Sequence, residues 1–79
     1  MKIWIADWSD GHDHDNEILG AYATEELAKA AIESDIKCRY AGNSRAHADW
    51  LLTFSFVQVY FGCGHSDRYS WCDYDVQTA

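Results

Sequence analysis

Proline is absent from this chain of 79 residues, and glycine occurs only five times. Without proline there is no rigid linker. No repeat, low-complexity tract or shift in composition marks a boundary, and a chain of this length makes one domain, residues 1–79. Cysteine is scarce too. Cys38, Cys63 and Cys72 form an odd set without framework spacing, which argues against a disulfide-stapled secreted module and for a reducing interior. No apolar run approaches the roughly 18 residues that a membrane span requires. The opening Met1-Lys2 leads straight into an alternating segment, unlike a signal peptide. The expectation is a cytoplasmic protein with no membrane contact.

Positive charge is the sharpest shortage. Six Lys and Arg face 13 Asp and Glu, a net charge of −7. From Ile3 to Ala28 there is no Lys or Arg at all, while Asp7, Asp10, Asp13, Asp15, Glu17, Glu25 and Glu26 fall inside that stretch. Asp67, Asp73 and Asp75 form a second acidic stretch, and bases gather at Lys29, Lys37, Arg39 and Arg45. Direct nucleic-acid binding is disfavoured, because phosphate contacts need Lys and Arg. Two readings stay open: a charged surface that maintains solubility, or an acidic flank that docks on a basic surface, where complementary potential speeds and orients association.

What is abundant is hydrophobic and aromatic. Hydrophobic residues make up 48% of the chain and aromatic ones 15%, with four Trp, five Tyr and three Phe. Each ring buries about 150–250 Å², enough to fill a small core, so an ordered fold is expected despite the charge. Lys2 to Trp8 alternates as a strand, with Trp4/Ala6/Trp8 on one face and Ile3/Ile5/Asp7 on the other. A polar loop from Ser9 to Asn16 leads to a second strand from Glu17 to Ala23. Thr24 reads as a helix N-cap with Glu25 and Glu26 in the first turn. Leu27, Ala28, Ala31, Ile32 and Ile36 form the apolar face, Glu25–Lys29 and Glu33–Lys37 are spaced i,i+4, and Gly42-Asn43 stops the helix.

Ser44 to Asp49 is then a turn of helix or a loop, Trp50 to Phe61 a long central strand, and Gly62 to Asp67 a turn. Arg68 to Val76 returns as a fourth strand or an ordered tail. The fold class that follows is α+β: a small two-layer sandwich, an antiparallel sheet of three to four strands with one helix, in the order β-β-α-β-β. Trp4, Ile5, Phe54 and Phe56 are expected in the core. Trp8, Trp50, Tyr69, Trp71 and Tyr74, at segment ends beside charges, divide between interface anchors and edge-of-core packing.

Sites for chemistry are few. His12 and His14, one residue apart among Asp10, Asp13 and Asp15, have spacing that permits a divalent metal, although loop histidines among aspartates are commonly just solvated. Those carboxylates raise histidine pKa values in either case. Cys63, His65 and Cys72, with Cys38 or His47, could be written as a structural zinc site, but lack a paired C-x-x-C knuckle. Cys63 and Cys72 could equally form a disulfide or pack as thiols. Cys63 with His65 has no evident orienting group or oxyanion hole, and no phosphate loop or HExxH is present. The reading adopted is a non-enzymatic protein with no catalytic residues, metal or cofactor. Its partner-binding residues are Asp7, Asp10, Asp13, Asp15, Glu17, Trp8, Trp71, Asp73 and Asp75. A small zinc-binding structural or regulatory domain is the alternative. A self-associating subunit pairing through an open sheet edge is a third, with a monomer favoured.

Short, acidic, aromatic-rich and without a catalytic motif, the whole chain resembles the small orphan proteins of phages and mobile elements. In size, acidity and α+β layout it is similar to anti-CRISPR proteins directed at type I Cascade complexes. The resemblance implies an inhibitor in the bacterial cytoplasm that docks on the basic DNA path of Cascade, against its backbone subunits, and keeps target DNA from binding. The carboxylates at Asp7, Asp10, Asp13, Asp15 and Glu17, or those at Asp67, Asp73 and Asp75, would then meet the effector's lysines and arginines.

Overall fold

A computed structural model describes residues 1–10, 15–61 and 66–76. The elements are β1 (Lys2–Ser9), β2 (Asn16–Tyr22), α1 (Glu25–Arg39), β3 (His47–Leu51), a 3₁₀ turn (Leu52–Phe54), β4 (Phe56–Tyr60) and β5 (Ser66–Asp75). The five strands form one sheet in the order β2-β1-β5-β4-β3, antiparallel throughout. The helix packs on one face, which makes the α+β two-layer sandwich. No described helix is long and apolar enough to cross a membrane.

The side-chain alternation of strands decides which residues meet the helix. Trp4, Ala6 and Trp8 of β1 stand beside Asp73, Trp71 and Tyr69 of β5, and Tyr69 stands beside Val57 of β4. From this row come the buried residues Ala6, Tyr69, Trp71, Val57 and Val59, closed over by Ala28 and Ile32 of α1. Each fully buried aliphatic or aromatic side chain contributes about 1.5–3 kcal/mol, so this single row carries most of the driving force available to a chain this small. Trp4, Trp8, Leu19, Tyr22, Ile36, Tyr40, Ala48 and Trp50 complete it from the rim.

Local chemistry sets the element ends. Thr24 is in an extended conformation, and its Oγ1 accepts from the Leu27 amide at 3.2 Å, capping α1. Gly42, at φ +83°, takes the left-handed turn that follows the helix. In β2, Ala6 faces Gly20 while Asp7 faces Ile18, so Leu19 is an extra residue in a bulge. A Cβ at Gly20 would lie 2.8 Å from the Tyr22 hydroxyl oxygen, so glycine there admits the tyrosine ring.

The α+β class holds, but three expectations require correction. The sheet has five strands rather than three to four, in the order β-β-α-β-β-β, and β3 begins at His47, inside the segment expected as a turn of helix or a loop. The apolar run from Trp50 to Phe61 is not one central strand but the end of β3, a 3₁₀ turn and β4. The chain reverses at Ser55, a non-glycine residue in the left-handed region (φ 56°, ψ 44°). Two backbone bonds hold this reversal: Ser55 N to Leu52 O and Trp71 N to Ser55 O, both 3.2 Å. Phe54, expected in the core, is therefore carried onto the hairpin tip, 72% exposed. Phe56 and Ile5 are half-buried on the face away from the helix. The sheet's centre is instead β5, the segment whose alternation is loosest.

Candidate functional site

The polar residues concentrate where β1 ends, β2 begins and α1 stops. Asp10 and Asp15 flank residues 11–14 and are joined by an Asp10 N to Asp15 O bond of 3.1 Å. Asp13, His12 and His14 lie outside the described residues. The C-terminal turn of α1 lowers Arg39 onto the indole of Trp8, 4.1 Å from the ring centroid. Arg39 Nη2 donates to Glu17 Oε2 at 2.7 Å and Arg39 Nε to Asp35 Oδ2 at 2.9 Å. The same Asp35 oxygen accepts from the Tyr69 hydroxyl at 2.5 Å. Tyr40, the helix C-cap, accepts from Trp8 Nε1 at 3.3 Å and donates to Asp67.

Three groups in this network titrate away from their ordinary values. Burial pushes the Tyr69 hydroxyl well up, and its bond to Asp35 adds to this. Burial likewise raises Tyr40, helped by Asp67. Burial works against the Arg39 charge, but the hydrogen bonds to Asp35 and Glu17 outweigh it and hold the guanidinium above its usual value. The arrangement is a lock between helix and sheet: both phenols stay protonated donors and the guanidinium stays charged.

On the opposite face, Asp7 Oδ1 accepts from Ser70 Oγ at 2.5 Å. A shallow cleft of about 450 Å³ opens beside it, lined by Asp7, Ser9, Asn16, Glu17, Ile18, Arg68 and Ser70. A second, of about 330 Å³, lies along β2 and α1 beside Leu19, Tyr22, Asp35 and Cys38.

The residues nominated for partner binding separate into groups. Asp10 and Asp15 are together where β1 ends and β2 begins. Glu17 is there too, but Arg39 already neutralises it. The bases that gather on α1 are not kept apart from the first acidic stretch, because the last of them, Arg39, pairs with Glu17 of β2. Asp73 and Asp75 lie at the other end of β5, with Asp73 paired to Lys2 at 3.2 Å. Asp67 is eight residues before Asp75, about 26 Å along an extended strand, so the second acidic stretch is split between the two poles. Trp71 is 2% exposed and its Nε1 donates to Glu25 at 3.3 Å; it is core and cannot anchor a partner on the folded surface. Trp8 is half-buried beneath Arg39.

The described members of the zinc ligand set stand apart. Cys72 pairs with Ile5 on the face away from the helix, whereas Cys38 lies on α1, across the sheet. His47 pairs with Tyr60 in the β3–β4 hairpin. Cys72 is six residues beyond Ser66, about 20 Å along the strand. Cys63 and His65 lie outside the described residues. Among the described residues no three His, Cys, Asp or Glu come together in a way that would hold a metal ion.

Asp35 and Tyr40 are not singled out by the sequence, and Arg39 only as one of the gathered bases. Asp35–Arg39 has the same acid-before-base i,i+4 spacing as the two helix pairs that are, and that signal is available. No protein-family model, curated protein or solved structure matches the chain.

Proposed function

We propose that this chain is a non-catalytic inhibitor that binds a basic, nucleic-acid-binding surface of a partner protein. The partner its character points to is a type I CRISPR Cascade complex, kept from target DNA in the bacterial cytoplasm. The observation that carries the reading is the charge left over after internal pairing. Lys2, Lys29, Lys37 and Arg39 are each committed to carboxylates of this chain, to Asp73, Glu25, Glu33, and Glu17 with Asp35. The net charge remains −7. Among the described residues, no ion pair reaches Asp15, Glu26, Asp49 or Asp75. Carboxylates carried by the sheet, by α1 and by the residue before β2 offer a cationic groove the counter-charge that phosphates would otherwise supply. The lock around Arg39 supports the reading by holding β1 and β2 against the helix through Trp8 and Glu17, so that Asp15, next to β2, is presented without much ordering cost.

The test is competition for DNA. Purified Cascade is mixed with a labelled target duplex and increasing amounts of this protein, and shifts are read on native gels. Near-stoichiometric loss of the DNA complex is expected. Asp10→Lys with Asp15→Lys is expected to raise the amount required at least tenfold, with an unchanged circular dichroism spectrum. Undiminished inhibition after reversal at both poles, Asp73 and Asp75 included, refutes the electrostatic basis. Absence of any Cascade binding refutes the partner.

A further inference from the structure

The two neighbours of β5 do not cover it equally. β1 pairs with it from Arg68 to Asp75, whereas β4 pairs with it only from Ser66 to Ser70. Beyond Ser70 the hairpin turns away at Ser55, and its last bond to β5 is Trp71 N to Ser55 O. The Ser55 amide goes to Leu52 O instead of returning to Trp71. Backbone groups of an antiparallel strand alternate between its two sides. Val76 N bonds to Met1 O on the β1 side, and Trp71 N bonds on the β4 side. Asp73 and Asp75 share the parity of Trp71, so their N–H and C=O groups face the uncovered side. Among the described residues no strand pairs there.

An open edge of this kind is a template for another strand. The geometry points to Trp71–Asp75 as a docking edge for an extended segment of a partner protein with alternating cationic and apolar side chains. Charge selects the cations. Asp73 lies on the helix face of the edge, and its pairing with exposed Lys2 is readily exchanged. Asp75, free of ion pairs among the described residues, shares that face, with Glu25 at the start of α1 reaching Trp71 of the same row. The alternate partner residues meet Tyr74, 53% exposed, on the other face, and at the hairpin tip, joined to β5 at Trp71, Leu52 is 61% and Phe54 72% exposed. The tip forms a ready apolar wall, since Phe54 already packs on Phe56 at 6.3 Å between ring centroids. A second copy of this chain is a poor occupant, because antiparallel self-pairing sets Asp73 and Asp75 against their own counterparts and brings together two chains of −7. This docking mode shares with the proposed function the cationic character of the partner and the carboxylates Asp73 and Asp75, and sits at the opposite pole from Asp10 and Asp15.

The probe is a fluorescein-labelled peptide of alternating lysine and valine, compared with an isomer of the same composition carrying its lysines and valines in two blocks. Fluorescence anisotropy is expected to show the alternating peptide binding at least tenfold more tightly at 150 mM salt. Asp75→Pro removes an outward N–H while leaving the β1 ladder intact, and is expected to weaken binding at least tenfold. Because a proline there could disturb the strand, amide exchange of the unaltered protein gives a second reading: Asp73 and Asp75 amides are expected to become protected when the alternating peptide is added. Asp10→Lys with Asp15→Lys is expected to leave peptide affinity within twofold, so failure of the Cascade assay and failure here are distinguishable. Equal binding of the two isomers, unprotected Asp73 and Asp75 amides, or concentration-dependent dimerisation that protects them without peptide would each overturn the proposal.

Discussion

Tyr69→Phe removes one oxygen from the middle of the helix–sheet lock and isolates its energetic weight. Tyr69 is fully buried on β5, and its hydroxyl donates at 2.5 Å to an Asp35 oxygen that also accepts from Arg39 at 2.9 Å. A hydrogen bond to a charged group contributes about 1.5–3 kcal/mol. The Asp35 side chain is 25% exposed and retains Arg39, so water replaces part of what is lost, and a cost of about 1–2 kcal/mol is expected for Tyr69→Phe. Asp35→Ala is worse, because it leaves the phenol buried without an acceptor and Arg39 with Glu17 alone: about 2–4 kcal/mol. In the double variant neither partner is stranded, so the two losses fall short of additivity by about 1–2 kcal/mol. Urea unfolding followed by tryptophan fluorescence measures this as a shift in midpoint at constant slope. An Asp35→Ala variant within about 0.5 kcal/mol of the parent, as for an ordinary surface substitution, or strictly additive losses, would show that the lock does not stabilise the fold.

The same phenols set an alkaline limit. Tyr40 and Tyr69 have folded-state pKa values raised above the unfolded value of about 10, so their contribution is fully present below pH 10 and is lost as pH rises beyond it. Each tyrosine removes up to about 1.4 kcal/mol per pH unit there. Chemical denaturation between pH 9 and 11.5 is expected to steepen downward above 10, and less so in Tyr69→Phe; identical profiles would refute the assignment. Truncating the two aromatics whose positions run opposite to expectation separates core from surface. Trp71→Ala is expected to cost about 3–5 kcal/mol and Phe54→Ser less than about 0.5 kcal/mol, and thermal melts that rank them the other way would contradict the burial described above.

Segments with a strong local signal are legible in the amino-acid order itself. The strand at Lys2–Trp8, the Thr24 cap, the helix face through Ala28 and Ile32 and the stop before Gly42 all follow from periodicity and capping chemistry, which act over a few residues. The α+β class follows from these together. Trp50–Phe61 misleads because its apolar run contains neither proline nor glycine, and the residue that turns it, Ser55, reverses the chain through bonds to Leu52 and to distant Trp71. β5 is hardest to read because its helix-facing row begins and ends with aspartates, and only Tyr69 and Trp71 between them are buried.

Charge divides along the same line. The net −7 and the stretch without Lys or Arg from Ile3 to Ala28 belong to the amino-acid order alone, and so does the expectation that disfavours a phosphate-binding surface. Where those charges stand relative to one another comes from packing. The helix carries Arg39 back to Glu17, β5 draws Asp67 about 26 Å from Asp75, and the short β3–β4 hairpin leaves half of the central strand uncovered. Capping and periodicity operate through neighbours in the chain, whereas ion pairs and strand edges arise between residues that only folding brings within reach.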